Sequence, residues 1–539
     1  MAHDEDLPAT ESPPRRRVVR TVLLGGTIVL ALGLAYVWVT RKTIADNVIE
    51  QQLHDLGLPG SYEVAAIGPG EQVIRHLVIG DPRRPDLTID EVRVQTRLRF
   101  GFPGIGRITL VRPRLYGKVV RGKPSFGALD PVLFTGSKAP FRLPDYDIAI
   151  EDGGARIASD YGVVGLTLSG KGKLRGGFAG EVAAIAPRVE AGGCTIERAT
   201  VYGKLSVSDE KPRFDGPVRI AKAACPERGI RLAPAGLQAD VTFAQALDGA
   251  EGQLDLVTGG AQAGQARLAK LKAATRFTYH DDALTARYNI AGEQIAVSHL
   301  RAGRLQSAGR VRSTQGLGHL QVEGDVTGRD LAGGTSLDPL LAQVQRSAAG
   351  TLAAPLIARV RTGLARESRA SSLDGSFLAR RGPEGLSLVV PRASLRGGSG
   401  QSLLAVSRMQ VLARAQGLPH ITGNFATGGQ GLPRISGRME RVADGSLVLQ
   451  VQMPAYRAGD ASLAVPQMAV VQARSGAIRF TGQVLASGAL PGGHARNLLL
   501  PVDGSWNDDA LALWQRCTDM RFDSLSVASL TIDRRQLTV

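Results

Sequence analysis

The chain has 539 residues, a formal net charge of +16, 66 glycines, 28 prolines and only 3 cysteines. This length predicts either several domains or an array of repeats, and so few cysteines exclude a disulfide-dense scaffold. The positive charge is compatible with nucleic acid, anionic lipid or lipopolysaccharide as a partner, and equally with a surface that only keeps an apolar-rich protein in solution. Sparse aromatic residues argue against nucleic acid recognised by base stacking.

The first forty residues predict a tail followed by a membrane span. Residues 1–20 are polar and predict a disordered tail. Residues 21–40 carry no charge and are long enough to cross a bilayer as a helix. Arginines precede this run, so the positive-inside rule places the tail in the cytoplasm and the body outside it. A signal peptide cleaved near Gly33 is the alternative, but the apolar run continues past that point, which favours an uncleaved anchor.

Residues 41–57 predict an amphipathic helix that leads out of the membrane. Its apolar face would consist of Ile44, Val48, Leu53 and Leu56. Gly57 is suited to end the helix as a C-cap. This helix would either close the end of the β structure beyond it or serve as a simple stalk.

From Tyr62 onward the pattern changes to short β-strands. In residues 92–100, the apolar or small side chains of Val92, Val94, Thr96, Leu98 and Phe100 alternate with Arg93, Gln95, Arg97 and Arg99. This alternation predicts a strand with one apolar face and one basic face. A turn at residues 101–104 and two further strands, at 108–113 and 115–120, are expected next.

The order of these segments resembles a known family. After the membrane helix and the amphipathic helix come Leu87-Thr-Ile-Asp-Glu-Val-Arg-Val94 and then Gly106-Arg-Ile-Thr-Leu-Val-Arg-Pro-Arg-Leu-Tyr-Gly117. This order resembles the N-terminal signature of the AsmA-like envelope proteins, most closely their YdbH branch, and covers about residues 20–130 directly. The resemblance implies a mainly β protein with an elongated, curled, repetitive antiparallel β-groove lined by apolar residues. It also implies a bacterial inner-membrane anchor, a periplasmic body and phospholipid transport towards the outer membrane.

Two cysteines lie among the short strands predicted for residues 145–330. Cys194 and Cys225 would be permitted to form a disulfide if the body is periplasmic. Two unpaired thiols are the alternative, and zinc is disfavoured because no further ligands have suitable spacing. Cys517 has no evident partner, and the chain stops at Val539 inside a predicted strand. We therefore expect a longer chain, or a second chain such as an outer-membrane lipoprotein, to complete the sheet.

Residues 336–366 interrupt the strand pattern and predict a helical hairpin. Asp338 and Pro339 are typical of a helix start, Gly350 interrupts the helix, and Pro355 begins a second one. The hairpin would separate two β segments and act either as a plug or gate over a groove, or as a spacer. The predicted segments are residues 58–335 before the hairpin and residues 367–539 after it.

One apolar spacing recurs along the chain. Leu463, Val465, Met468 and Val470 lie at i, i+2, i+5 and i+7, as in a strand with one inserted residue. Such a strand keeps its apolar side chains on one face if the inserted residue forms a β-bulge. The same spacing occurs in residues 87–94, 295–302, 404–411 and 525–532.

Two of these copies also share a Thr-Gly pair on their C-terminal side. Met409 precedes Thr422-Gly423, and Met468 precedes Thr481-Gly482 at nearly the same distance. This predicts a repeat of about 59 residues.

No sequence motif nominates catalytic chemistry. Phosphate-binding loops, nucleophile elbows, His-Glu-x-x-His and paired Cys-x-x-Cys motifs do not occur. Residues 279–282 form the densest polar cluster and predict a solvated hairpin turn. We therefore expect no enzyme activity, no cofactor and no metal.

These observations favour a lipid conduit or tether anchored in the inner membrane, with phospholipids as the cargo and no nucleic acid. The residues expected to line its groove are Val92, Val94, Leu98, Phe100, Leu404, Val406, Met409, Leu463, Val465 and Met468. An ordinary packed core is the competing interpretation for each of them. A periplasmic scaffold for outer-membrane protein assembly, without lipid passage, is the second hypothesis, and a membrane-anchored enzyme is the third.

Overall fold

The computed structural model describes residues 57–538 with short gaps. The gaps are residues 69, 100–101, 122, 135–141, 299, 317, 334–336, 415–417, 442–444, 508–509 and 515–516. The predicted tail, the predicted membrane span, residues 41–56 and Phe100 lie outside the described residues. Within the described part, no helix is both long and apolar enough to cross a bilayer.

The chain divides into two units, Met1–Val182 and Ala183–Val539. The strands of the first unit are β1 (Gly60–Ile67), β2 (Glu71–Asp81), β3 (Arg84–Arg99), β4 (Phe102–Val111), β5 (Arg114–Val120), β6 (Lys123–Ser125), β7 (Asp147–Ser159) and β8 (Gly162–Lys173), and its helical turns are Gly127–Leu129 and α1 (Asp130–Leu133). The division between the units lies within β9 (Phe178–Ala191).

The first unit contains a mixed sheet. Strands β1 to β4 pair antiparallel in chain order. β4 and β5, however, both pair with β7 in parallel. A parallel pair requires a crossover of a dozen residues or more, and the segment between β5 and β7, which includes β6 and α1, supplies it. The antiparallel sheet that the resemblance implies therefore contains two parallel pairings in this unit.

The second unit is built almost entirely of strands. They are β10 (Cys194–Ser208), β11 (Lys211–Cys225), β12 (Ile230–Leu232), β13 (Ala235–Phe243), β14 (Ala250–Thr258), β15 (Ala261–Ala263), β16 (Ala266–Leu268), β17 (Lys270–His280), β18 (Ala283–Val297), β19 (Leu300–Thr314), β20 (His319–Ala332), β21 (Ser371–Gly382), β22 (Gly385–Arg396), β23 (Ser402–Ala413), β24 (His420–Thr427), β25 (Ser436–Arg441), β26 (Leu447–Ala458), β27 (Ala461–Gln472), β28 (Ile478–Leu490), β29 (Gly493–Asn507), β30 (Ala510–Leu513), β31 (Asp519–Val527) and β32 (Leu530–Thr538). A one-turn helix follows β11 at Pro226–Arg228, and two longer helices, α2 (Leu337–Ser347) and α3 (Ala353–Glu367), lie between β20 and β21.

The sheet of the second unit is an antiparallel meander. β10, β11, β13, β14 and β17 pair in that order. From β17 to β29 each strand then pairs with the next along the chain. The short strands β12, β15 and β16 pair in turn beside this path. The mainly β, antiparallel character predicted from the sequence is therefore present in this unit.

The bulge predicted from the apolar spacing is present in β27 and β23. Between Val465 and Met468, β27 has one more residue than each of its two neighbours. In β23 the extra residue relative to β24 lies between Ser407 and Gln410, and Arg408 there has a φ of 52°. A bulge of this kind bends the strand and increases its local twist.

At two other places the same spacing has a different cause. In residues 295–302, Val297 pairs with Leu300 across a two-residue turn between β18 and β19. In residues 525–532, Val527 pairs with Leu530 in the same way. A two-residue hairpin puts position i+2 opposite position i+5, so it reproduces the spacing without a bulge. At these two places a bulged strand is the wrong interpretation.

The predicted 59-residue repeat corresponds to two methionine–glycine contacts. A Cβ atom placed on Gly423 would lie 3.0 Å from Cα of Met409. One placed on Gly482 would lie 2.7 Å from Cα of Met468, the residue with which Gly482 is paired. Glycine in the Thr-Gly pair therefore leaves room for the methionine of the preceding strand.

Candidate functional site

A continuous row of apolar residues crosses the sheet of the second unit. Directly paired residues project their side chains to the same face, so the register defines the row. The apolar row runs from β10 to β29 and consists of Val201, Val218, Leu237, Leu256, Ala273, Ile290, Ser307, Val326, Gly375, Ala393, Val406, Phe425, Gly437, Val451, Met468, Gly482 and Val502. Only Ser307 in this row is polar.

Two further rows extend the same face. Because side chains alternate along a strand, residues displaced by two or four positions, or by five across the inserted residues of β22 and β23, project to this face too. The Leu373 row consists of Ala199, Ile220, Ala235, Thr258, Leu271, Gly292, Leu305, Gly328, Leu373, Leu395 and Leu404. The Val411 row consists of Leu205, Phe214, Val241, Gly252, Phe277, Ala286, Val311, Val322, Ala379, Leu388, Val411 and Ile421. Together the three rows form the apolar face.

The opposite face is polar. The row next to the apolar row on that side contains Gln238, Asp255, Asn289, Asp325, Ser376, Arg392, Ser407, Asn424, Arg438 and Gln450. Arg213 and Asp240 form an ion pair elsewhere on this side, with nitrogen and oxygen 2.7 Å apart. Hydrogen bonding to Arg213 lowers the pKa of Asp240 below its ordinary value. The polar face therefore has the character of a solvated surface.

The side chains of the apolar face are mostly half-buried. Ile290 is 39% exposed and Leu404 is 40% exposed. Among the described residues, the largest side chains that are almost completely buried are Glu367 and Thr258. A covered apolar face would bury many Leu, Ile and Phe side chains completely. The buried hydrophobic residues of the second unit are instead mostly alanines, so much of the apolar face is accessible.

The structure brings some of the predicted lining residues together on this face. Val406 and Met468 belong to the apolar row, and Leu404 belongs to the Leu373 row. Met409 is half-buried beside Gly423. Leu404, Val406 and Met468 therefore share one face of the sheet, and their role as a lining stays a prediction.

Leu463 and Val465 lie next to side chains of neighbouring elements. Leu463 packs at the edge of a small core formed by Leu356 of α3 with Ala458 and Ala461. Val465 is half-buried opposite Met453. For Leu463 the packed-core interpretation describes its contacts better than a groove lining does.

The residues predicted near the N-terminal end lie in the first unit. Val92 is 8% exposed and pairs with Ile74 and Leu110. Val94 is half-buried and pairs with Ile108. Leu98 is a position of β3 paired with Pro103. The first unit has an apolar row of its own, made of Val64, Ile74, Val92, Leu110, Ile150 and Gly170.

The two helices of the second unit are held firmly at the C-terminal end of α3. Glu367 ends this helix and is 0% exposed. Its carboxylate accepts hydrogen bonds from the backbone N–H and hydroxyl of Ser399, at 3.2 and 2.8 Å, and from the N–H of Gln430 at 3.1 Å. Burial raises the pKa of Glu367, but these hydrogen bonds outweigh burial, so its pKa lies below the ordinary value.

The middle of α3 is attached to β26 by a second set of contacts. The guanidinium carbon of Arg359 lies 5.6 Å from the ring centre of Tyr456, a distance at which a cation and an aromatic face attract each other. Tyr456 in turn donates a hydrogen bond of 2.7 Å to the carbonyl of Gly431. Together with Leu356, these contacts fix α3 on the sheet.

Sequence reasoning located the two helices but did not single out Glu367. A glutamate at the end of a helix is ordinarily a surface residue. The reason for its burial becomes visible only in the structure, where a Cβ atom on Gly397 would overlap Oε2 of Glu367.

Two of the three cysteines form a disulfide, and the third is free. Cys194 and Cys225 are joined by a disulfide, with an S–S distance of 2.08 Å, at the open end of the β10–β11 hairpin. Cys517 is exposed and free.

Asp281 and Asp282 form the two-residue turn between β17 and β18, as predicted. Among the described residues, no group of three or more His, Cys, Asp or Glu side chains is placed to hold a metal ion.

The comparisons with known proteins agree with the resemblance at Leu87–Val94 and Gly106–Gly117. The model of the YdbH-like family, described as intermembrane phospholipid transport protein YdbH, matches residues 28–539. No curated protein and no solved structure matches the chain. The match extends over both units, well beyond the N-terminal segments that first suggested it. The chain belongs to the YdbH-like family.

Proposed function

We propose that this protein carries phospholipids between the inner and outer membranes along the apolar face of its β-sheet. The observation that carries the proposal is the apolar row, which runs from β10 to β29 with Ser307 as its only polar side chain and stays partly accessible. Strands lie about 4.8 Å apart, so the row provides a path on the order of 80 Å. The family to which the chain belongs supports the same cargo.

The lining is suited to transit rather than to storage. Each methylene group removed from water contributes about 0.8 kcal/mol, so one deep pocket would hold an acyl chain too strongly for it to move on. A lipid on the apolar row instead meets similar contacts at every strand. Gly375, Gly437 and Gly482 contribute only backbone atoms to the row, so an acyl chain makes fewer contacts at these strands.

The polar parts of the lipid and of the protein remain in water in this arrangement. Acyl chains would lie on the apolar face, while the headgroup stays at its open side. The proposal places residues 21–40 in the inner membrane, with the N-terminus in the cytoplasm and the β units in the periplasm. The disulfide between Cys194 and Cys225 is compatible with that compartment.

A charge placed on the apolar row tests the proposal. Val406→Asp should lower the phospholipid that copurifies with the full chain by at least about tenfold, because a carboxylate in an acyl-chain path is costly to desolvate. The measurement is lipid extraction followed by mass spectrometry, with far-ultraviolet circular dichroism to establish that the sheet is intact.

Ser407→Asp is the matched control. Ser407 is the next residue of the same strand and projects to the polar face, so its substitution should leave copurifying lipid unchanged. Equal loss in both variants, or no loss in either while both stay folded, would contradict lipid passage along this face. The latter outcome would favour a scaffold without lipid passage.

A further inference from the structure

A cavity of about 840 Å³ lies between the helices and the sheet of the second unit. Its apolar lining includes Leu341 of α2, Leu364 of α3, and Leu373, Leu395 and Leu403 of the strands beneath. Pockets that hold ligands commonly have volumes of about 300–1,000 Å³ and are mostly apolar with a few polar groups. This cavity has both properties.

The floor of the cavity is part of the apolar face. Leu373 and Leu395 are paired with each other and belong to the Leu373 row, two residues along each strand from the apolar row. Gly328 precedes them in that row, where a Cβ atom would lie 3.3 Å from the Cβ of Leu373. An acyl chain on the apolar row therefore has an apolar surface that continues beneath the helices.

The charged residues that line the cavity are Asp338 and Arg361 on the helices and Arg301 on β19. Arg361 of α3 donates two hydrogen bonds to the carboxylate of Asp338 of α2, at 2.9 and 3.1 Å, and a third to Gln345 at 2.9 Å. Arg361 and Asp338 both line the cavity, and their side chains are 31% and 55% exposed. A guanidinium binds phosphate with the same two-bond geometry that it uses for a carboxylate.

From this arrangement we propose that the cavity is a binding site for one phospholipid, with an acyl chain on Leu373 and Leu395 and the headgroup phosphate on Arg361 in place of Asp338. The inference rests on the proposed function and adds one defined binding site to the path of the lipid. α3 is fixed by Glu367 and Tyr456, so it serves as the stationary wall. Asp338 then competes with the lipid phosphate for the same guanidinium.

Photo-crosslinking tests the presence of lipid in the cavity. The full chain would carry a benzoylphenylalanine at Leu373 or at Met468, in bilayer discs of equal parts phosphatidylethanolamine and phosphatidylglycerol. We expect lipid adducts at both positions. Adducts at Met468 without adducts at Leu373 would overturn the cavity site and leave the proposed function standing, whereas adducts at neither would overturn both.

Filling the cavity provides a matched pair of variants. Ala365 is exposed on α3 and lines the cavity, whereas Thr362 is exposed on the same helix outside the lining. Ala365→Trp should lower lipid adducts at Leu373 by about tenfold, and Thr362→Trp should not change them. Equal adduct yields in the two variants would contradict occupancy of the cavity.

The role of Arg361 is tested by two substitutions that break the same ion pair. Asp338→Asn frees Arg361 and should raise the share of phosphatidylglycerol among the adducts at Leu373 by about threefold, whereas Arg361→Gln should lower it by a similar factor. If the ion pair only holds the two helices together, both variants will shift the share in the same direction or leave it unchanged. Either of these results would overturn the assignment of Arg361 to the headgroup.

Discussion

Glu367 shows how one side chain can fix a helix on a sheet. The carboxylate is fully buried, yet it is satisfied by two backbone N–H groups and one hydroxyl from two separate loops. A buried charge is tolerated only where hydrogen bonds replace its lost hydration. Gly397 accommodates the carboxylate, since any larger residue there would overlap it.

Replacing this carboxylate should loosen α3. Glu367→Gln puts an amide group against donors that need an acceptor, so the free energy of local opening of α3 at neutral pH should fall by about 3 kcal/mol. Amide hydrogen exchange across Ala353–Glu367 measures this free energy of local opening. Glu384→Gln, in the exposed turn between β21 and β22, is the control and should have no effect.

The contribution of Glu367 to the stability of α3 depends on pH. The folded-state pKa of Glu367 lies below its ordinary value of 4.5. A lowered pKa means that the stabilisation is fully present above the unfolded pKa and is lost as the pH falls through the folded pKa. The difference between wild type and Glu367→Gln should therefore shrink as the solution is acidified below about pH 4.5. A constant difference would contradict an ionised Glu367.

At the scale of elements, one apolar spacing has two structural origins. In β27 and β23 it marks an inserted residue, whereas in residues 295–302 and 525–532 it marks a two-residue hairpin. Both arrangements place the four apolar side chains on one face, so the sequence pattern alone does not separate them. The Thr-Gly pairs after Met409 and Met468 accompany only the two bulged copies, where the glycine lies against the methionine of the preceding strand.

Adding one methyl group at Gly482 tests the methionine–glycine contact. In Gly482→Ala the new Cβ would lie 2.3 Å from the carbonyl oxygen of Gln467 and 2.7 Å from Cα of Met468. We expect the free energy of unfolding of the second unit to fall by about 2 kcal/mol, measured by urea titration of the full chain.

Gly236→Ala is the matched substitution on another strand of the same sheet. A Cβ atom there meets no other atom within 4 Å, so we expect this variant to be neutral or stabilised by about 0.5 kcal/mol. A similar loss of stability in both variants would show that the contact with Met468 is not the cause.

The sequence predicted the elements better than it predicted their partners. Alternation in residues 92–100 and the interruption at residues 336–366 follow from side-chain chemistry within a few residues. β3 covers the described part of the first range, and α2 and α3 lie at the second. The parallel pairing of β7 with β4 and β5 depends on how a long connection crosses the sheet. The burial of Glu367 depends on loops that are distant in sequence. Neither the parallel pairing nor this burial can be predicted from the periodicity of nearby residues.

At the scale of the whole molecule, the proposed lipid passage depends on one face. Val406 and Met468, far apart in the chain, belong to a single row because Phe425, Gly437 and Val451 are paired in succession between them. Apolar residues on that row remain half-buried, which in a closed core would be unusual. The sequence predicted the apolar side of a few strands, such as those at residues 404–411 and 463–470, but the alignment of these residues across strands required the structure.

The most direct test of lipid passage is a crosslinking scan along the apolar row. Benzoylphenylalanine would be placed in the full chain, in cells, at Val218, Ile290, Val406 and Met468, and as controls at their polar-face neighbours Arg219, Ala291, Ser407 and Ala469. We predict phospholipid adducts at all four row positions and at none of the neighbours. Adducts to protein alone, or lipid adducts of equal yield on both faces, would contradict the apolar row as the path of the lipid.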